Sequence, residues 1–481
     1  MLVTVITEPS TEKLITVAKS IASEADVIEL RLDFLSDLNI NQLKTIREHI
    51  QKPLIFTLRS SMHGGCFQGT EQTRLTLLKA LATLSPDYID LESFVSDAFM
   101  TELHNAHPNI KIIRSYHNMT ETPENLDAIL TNMGHPHVSV YKIITTAKNT
   151  SDNLRVAHFV KKHSGNKNIT AHCMGKLGLP SRLLGKILGN YFQYAMIKGS
   201  ESPAPDCPDL HTMINLYRVK QCNKDTQVFA LLGDPIDHSI GHLFHNQQFS
   251  ERKINAIYLK MTLKEKELTD FFTLIRGLPF KGFSVTTPLK EHMPAHINYL
   301  EKNTQTIGAV NTVHINNDQY YAINTDGSGA LHVIEQSKLA YGSHVLIIGA
   351  GGAAKAIAAE CALRKPALLT IVNRTLTRAQ KIAQKINGFA YDFEGLKTAH
   401  NQHYDIIINT LPITTETDML ILKCIQPYLS KNLVMLNIDY ATDNHLLLKH
   451  LKTVGCELIS PKAMFQSQAI QQLNYWLSHP I

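Results

Sequence analysis

Lys142 lies inside the apolar run Val140-Tyr-Lys-Ile-Ile144, where an ammonium is costly to bury. A desolvated lysine gives up its proton readily and becomes an amine nucleophile, suited to a Schiff base with a ketone. An edge-strand lysine reaching out to solvent is the alternative. His117 ends Ile112-Ile-Arg-Ser115-Tyr-His117 and is placed like a general base. In the second half, Gly282-Phe-Ser284-Val-Thr286-Thr-Pro288-Leu-Lys290 ends a strand pattern on a lysine, and Asn324-Thr-Asp326-Gly327 presents an acid. A Lys290/Asp326 pair can relay a proton to a carbonyl that receives a hydride. Taken singly, each is more often a surface lysine or an Asx turn.

A third chemistry is written in Val345-Leu-Ile-Ile-Gly349-Ala-Gly351-Gly352-Ala-Ala354. The run reads as the strand, phosphate loop and helix start of a dinucleotide-binding βαβ unit. Gly349 serves the turn, Gly351 admits a pyrophosphate, and Ala354 allows helix and strand to pack closely. Ala350, Gly352 and Ala353 complete the loop. An NAD site usually ends its second strand in Asp or Glu. Here it ends Asn373-Arg374-Thr375, with Arg378 one helical turn on, and two guanidiniums with a hydroxyl suit a 2′-phosphate. The predicted cofactor is NADP.

These groups need elements to hold them. Over the first 220 or so residues a short apolar strand alternates with a helical pattern: Leu2–Thr7, Val27–Asp33, Leu54–Arg59, Tyr88–Glu92, Ile110–Ser115, Val140–Thr145, Ile169–Met174 and Tyr191–Ile197. Eight βα units of this spacing predict a (β/α)8 barrel; an open doubly wound sheet is the alternative. His211–Gln221 reads as a last helix and Asn223–Thr226 as a linker. The expected domains are therefore 1–224 and 225–481, the second divided into a substrate lobe (225–330), an NADP-binding Rossmann lobe (331–460) and a C-terminal helix (461–481) that folds back on the earlier lobe. The barrel offers more polar groups at its strands. Glu29-Leu-Arg31-Leu-Asp33 places three charges on one strand face. Arg59 and Arg182 are candidates to clamp a carboxylate. Salt-bridged barrel filling or surface decoration is the plainer reading of each.

Composition narrows the function classes. Apolar content of 44% and charged content of 19% describe a globular chain, and +5 spread over 481 residues gives no nucleic-acid surface. Seven scattered cysteines without a C-x-x-C pair suggest a reducing cytoplasm. The 24 histidines show no ligand spacing, so no metal is expected. The N-terminus reads as a strand, without the basic start of a signal peptide, and no segment is long and apolar enough for a membrane. Nothing in the sequence specifies an oligomeric state.

Residues 1–220 resemble type I 3-dehydroquinate dehydratase. The likeness rests on Glu29-x-Arg31-x-Asp33, Phe56-Thr-Leu-Arg59 with Gly64-Gly65, Asp90-x-Glu92, Ser115-x-His117, Lys142 and Met174-Gly-x-x-Gly-x-x-Ser181-Arg182. It implies an imine between Lys142 and the C3 ketone of 3-dehydroquinate, with His117 taking the C2 proton and assisting loss of the C1 hydroxyl. Arg182 would bind the carboxylate, while Glu29, Arg31 and Arg59 contact hydroxyls or hold geometry. Residues 227–481 are similar to shikimate dehydrogenase. That likeness implies Lys290 and Asp326 as the catalytic dyad, Ser239, Thr286, Asn311, Tyr440 and Gln468 as substrate contacts, and Gly349, Gly351, Gly352, Asn373, Arg374, Thr375 and Arg378 as cofactor contacts.

Some positions depart from these patterns. His63 replaces the usual Glu before the Gly-Gly pair, and Pro203-Ala-Pro205-Asp-Cys207 replaces a Ser-Ala-Pro-Gly-Gln covering loop. Gly241 and His242 replace the second serine and the proline of His-Ser-x-Ser-Pro. Asn409-Thr-Leu-Pro-Ile413 and Asn437 also differ from the family pattern. The expectation is a bifunctional enzyme that converts 3-dehydroquinate to 3-dehydroshikimate and then to shikimate. A quinate-preferring second domain and a catalytically silent, quinate-responsive regulator are the rivals. The regulator should have lost one of Lys142, His117, Lys290 or Asp326.

Overall fold

The computed structural model describes residues 1–36, 38–199, 204, 206–399, 403–439 and 445–478. By their contacts they form two units, Met1–Val228 with Asn246–Phe280, and Phe229–His245 with Lys281–Ile481. The contact boundary therefore groups 246–280 with the barrel, whereas the sequence places the whole segment after 224 with the second half.

Eight parallel strands form the first sheet: β1 (Leu2–Ile6), β2 (Val27–Arg31), β3 (Leu54–Thr57), β4 (Tyr88–Glu92), β5 (Lys111–His117), β6 (Val138–Thr146), β7 (Ile169–Met174) and β8 (Gln193–Met196). Their order is β7-β6-β5-β4-β3-β2-β1-β8, the near-closed ring expected of a (β/α)8 barrel. At the seam, Tyr191 N donates to Ile169 O at 2.7 Å and Phe192 N to Thr170 Oγ1 at 3.0 Å. Val3, Val5, Ile55, Tyr88, Ile113, Val140 and Phe192 pack in one buried cluster.

Two local expectations change. Asp33 does not extend β2 but lies in the 3-10 turn Leu32–Phe34, where it pairs with Arg31. The helix expected over His211–Gln221 is a single π-helical stretch, Thr212–Leu216. It cannot continue because Arg218 adopts a left-handed φ of 51°.

Strands β9 (Gln227–Gly233), β10 (Ala256–Thr262), β11 (Phe280–Val285), β12 (Tyr299–Leu300), β13 (Thr312–Asn316) and β14 (Gln319–Ile323) form a sheet in the order β10-β9-β11-β13-β14-β12. The last sheet contains β15 (His344–Ile348), β16 (Leu368–Val372), β17 (Phe389–Tyr391), β18 (Ile406–Asn409), β19 (Val434–Asn437) and β20 (Glu457–Ile459). All its pairs are parallel and its order is β17-β16-β15-β18-β19-β20, which is doubly wound with the switch point between β15 and β18.

The C-terminal helix Pro461–Ser478 packs on the second unit's earlier residues. Trp476 is 1% exposed and donates its indole N–H to Val313 O at 2.9 Å. Gln472 joins Ser284 Oγ at 2.9 Å to Asn311 O at 3.2 Å. This close approach needs Gly282, because a Cβ there would stand 2.6 Å from Val313 O and 2.7 Å from the Trp476 indole nitrogen. Gly282→Ala should therefore destabilise the second unit by roughly 1–3 kcal/mol, read as a lower midpoint in calorimetry. An unchanged midpoint would refute the packing argument.

Candidate active sites

In the barrel, side chains from five consecutive strands meet around one carboxylate. Asp90 Oδ2, in β4, accepts from Lys142 Nζ of β6 at 2.9 Å and lies 3.0 Å from an Arg59 guanidinium nitrogen. Its other oxygen accepts from Ser115 Oγ of β5 at 2.5 Å. Glu29 Oε1 of β2 lies 3.5 Å from Lys142 Nζ and accepts from Thr57 Oγ1 of β3 at 2.6 Å. Lys142 is 5% exposed, so its burial is balanced by two carboxylates and by the face of Tyr194, 4.4 Å from Nζ. The exposed-lysine alternative does not hold.

The same crowding sets proton positions. Burial pushes the Asp90 carboxyl up, but Lys142, Arg59 and the Ser115 hydroxyl outweigh it and hold it down at about 2. Burial, then the Arg59, Lys142 and Arg31 cations, hold His117 well below the ordinary imidazole range. His117 is thus a neutral acceptor, with Nδ1 2.6 Å from Arg59. Arg31 makes a two-point pair with Asp33, at 2.9 and 2.7 Å. Arg182 is 3% exposed, lines the cavity with Glu29, Arg31, Arg59, His117 and Lys142, and has no carboxylate partner among the described residues. His63 stacks on Phe94 at the rim, with centroids 4.2 Å apart. Gly65 is required beside it, since a Cβ would stand 2.2 Å from Arg59 O.

In the second unit, Lys290 Nζ and Asp326 Oδ2 are 2.6 Å apart, with Asp326 buried at 3% exposure. The other Asp326 oxygen accepts from Asn311 Nδ2 at 2.8 Å, and that amide also reaches Gln468 Oε1 at 3.0 Å. Lys290, Asp326, Asn311 and Gln468 thus form one network. Thr286 lines the adjoining cavity with Lys290. Ser239 instead accepts from Gly241 N at 3.2 Å, at the start of the helix Gly241–Glu251. Tyr440 lies outside the described residues.

A cavity of about 790 Å³ opens at the switch point, lined by Ala350–Lys355, Thr410–Pro412, Ile438 and Asp439 as well as Thr286 and Lys290. Gly349 takes φ 112°, and a Cβ there would meet Thr410 Oγ1 at 2.2 Å. A Cβ on Gly351 would meet no protein atom, so its absence leaves room at the N-terminus of the helix Gly352–Leu363. Arg378 lines this cavity. Asn373, Arg374 and Thr375 stand at the end of β16 outside its lining, with Asn373 Nδ2 bonded to Thr375 O at 3.0 Å. Sequence reasoning assigned no role to Asp90, Lys381, Thr410 or Asp439. The alternation Asp90-Leu-Glu92 on a strand was the available signal for the first. Lys381, one turn beyond Arg378 on its helix, was the signal for the second.

The fold and the two cavities define a two-centre α/β chain, one centre built on a buried amine and the other on a dinucleotide crevice. Residues 2–224 match the type I 3-dehydroquinase family, 231–313 the shikimate dehydrogenase substrate binding domain, and 333–438 the shikimate/quinate 5-dehydrogenase family. The shikimate biosynthesis protein AroDE of Chlamydia pneumoniae is 34% identical over 456 residues, covering 94% of this chain and 90% of its own. The bifunctional 3-dehydroquinate dehydratase/shikimate dehydrogenase, chloroplastic, of Arabidopsis thaliana is 30% identical over 476 residues, covering 95% and 78%. A crystal structure of a shikimate dehydrogenase in complex with NADP+ shares 27% identity over 53% of this chain and 91% of its own, with a TM-score of 0.46. The chain belongs to the bifunctional 3-dehydroquinate dehydratase/shikimate dehydrogenase family. No described helix is long and apolar enough to cross a membrane.

Asp90→Asn removes the charge shared by Lys142 and Arg59. It should cost about 3–5 kcal/mol at neutral pH, measured by denaturant unfolding. Because the native carboxyl is held at about 2, its contribution is present above the unfolded value near ~3.9 and is lost as pH falls from there through 2. The gap between wild type and variant should narrow by about 2.6 kcal/mol over that window. A constant gap would refute the ion-pair account.

Proposed function

We propose that the two centres carry consecutive steps, dehydration of 3-dehydroquinate to 3-dehydroshikimate in the barrel and NADPH-dependent reduction of that product to shikimate in the second unit. The observation that carries the reading is the enclosed Lys142 amine, set beside a neutral His117 and an Arg182 without a carboxylate partner among the described residues. Lys142, once a proton has left its ion-paired ammonium, adds to the C3 ketone and expels water to give an iminium. His117 takes a proton from C2, and the electron pair flows toward the iminium nitrogen. The C1 hydroxyl then leaves as water with a proton returned by His117, and hydrolysis of the imine frees the enone and Lys142. Arg182 holds the carboxylate throughout, while Glu29, Arg31 and Arg59 position hydroxyls and the two catalytic groups.

In the second site Lys290 and Asp326 flank the carbonyl carbon's oxygen and supply its proton, while Asn311, Thr286, Gln468, Ser239 and Tyr440 bind the ring. NADPH, when bound, supplies the hydride. The residues present fit that cofactor. The space beside Gly351 and the helix N-terminus suit a pyrophosphate, and Arg378 and Lys381 place cations in the same cavity for a 2′-phosphate. Asn373, Arg374 and Thr375 close the adenosine end. The domain limits follow the same division, with the barrel ending near 224. The seven cysteines form no disulfide and most are buried, which suits a reducing cytoplasm.

All four catalytic candidates are present and paired, which disfavours a silent regulator. Borohydride added with 3-dehydroquinate should fix ligand mass on Lys142, and no adduct would sink the imine mechanism. Since His117 titrates well below 6.5, the acid limb of kcat/KM for dehydration should lie below that pH; a limb at or above it would remove His117 as the base. Gly351→Val should leave the melting temperature unchanged yet weaken NADP+ binding at least tenfold by direct titration. NADP+ reduction with shikimate against quinate decides the substrate, and a preference for quinate would overturn the second step as stated.

A further inference from the structure

The polar groups around Lys142 are almost all committed. Glu29, Arg31, Arg59, Asp90 and His117 each hold a hydrogen bond or ion pair within the protein. Two others that line the same cavity do not. His172 in β7 and Tyr194 in β8 are 3% and 5% exposed, and neither His172 Nδ1 nor the Tyr194 hydroxyl finds a partner among the described residues. Interiors pair nearly all such atoms, so an orphan that persists calls for a reason. An apolar pair of the same shapes would fill the space without that penalty.

Their position supplies the reason. The two rings lie 6.0 Å apart, and Tyr194 carries the Lys142 ammonium over its face at 4.4 Å. After burial itself, the groups acting most strongly on His172 are Arg182 and then Lys142. The pair therefore lines the same cavity as the amine and the Arg182 guanidinium. The rim residues Ala204 and Cys207 bring a methyl and a thiol to this cavity, not a hydroxyl or an amide. The free space is about 70 Å³, room for several waters that a ring acid would displace. The lining side chains that can adjust most easily to such a molecule are those without internal bonds. His172 and Tyr194 can shift without breaking a hydrogen bond, whereas Glu29, Arg31, Arg59 and Asp90 cannot.

We infer that His172 and Tyr194 are substrate-binding and specificity-determining residues of the barrel site, the imidazole N–H joining Arg182 on the carboxylate and the phenol donating to a ring hydroxyl. This rests on the dehydratase reading of Lys142. The unmade bonds of the free protein are the ones the hydroxylated ring acid completes. The two residues act on binding, not on bond making.

Tyr194→Phe and His172→Met in the full chain test it. The expected result is a melting temperature equal to or above wild type together with a KM for 3-dehydroquinate raised about tenfold in each, kcat falling less than about threefold. His172→Gln, which keeps an N–H donor, should recover part of the loss. A KM within about twofold of wild type in both variants, or a fall in kcat at unchanged KM, would overturn the inference. Borohydride trapping separates the two levels. Failure of wild type to trap 3-dehydroquinate on Lys142 removes the dehydratase reading itself, whereas trapping in wild type and both variants at unchanged KM removes only this inference.

Discussion

A charge taken out of water must meet an opposite charge, and in the barrel that requirement converges on Asp90. One carboxylate serves both the Lys142 ammonium and the Arg59 guanidinium, and Arg59 in turn reaches His117. Each of these groups would be intolerable alone in a site this enclosed. Together they hold the amine, the imidazole and the guanidinium in fixed relation before any ligand arrives, which is the preorganisation a reacting centre needs. The barrel's parallel register makes it possible, since Ser115 pairs directly with both Glu92 of β4 and Lys142 of β6.

The second unit reaches a similar end with a neutral group. The Asn311 side-chain amide donates to Asp326 and Gln468 and accepts from Thr325 N at 2.9 Å. It thereby ties the Lys290/Asp326 pair to the C-terminal helix. That helix can lie so close because Gly329 faces Gln468, where a Cβ would stand 2.7 Å from the glutamine Cβ. The crevice beside it is set by backbone rather than charge. Glycines 349 and 351 act differently there. The first is needed by Thr410, which packs against it, and the second leaves a space that the protein does not fill.

The departures from family pattern sort themselves by contact. Asn437 is part of a buried amide pair, its Oδ1 accepting from Asn409 Nδ2 at 2.8 Å, so a carboxylate at that position is not required to hold the end of β18. Gly241 begins a helix whose first turn is anchored by Ser239. His63 finds an aromatic partner in Phe94. Local chemistry has closed around these three positions, and in the barrel cavity the polar atoms left open among the described residues are His172 Nδ1 and the Tyr194 hydroxyl.

Much of this was legible from residue order. Strand positions in the barrel followed from apolar runs at regular spacing, and β4 and β7 match the expected limits, because a strand buried on both faces must be continuously apolar apart from its functional positions. The dinucleotide loop was equally clear, since its glycines answer to local backbone geometry. The failures were local: Asp33 turns back to Arg31 two residues before it, and the expected helix after His211 ends at the left-handed Arg218. What sequence determined alone was therefore the kinds of groups and the elements that carry them. Tertiary structure decided which charge meets which: Asp90 and Lys142 are 52 residues apart, Glu29 and Lys142 113. Pairing between strands depends on register and barrel closure, and no local pattern in the chain encodes either.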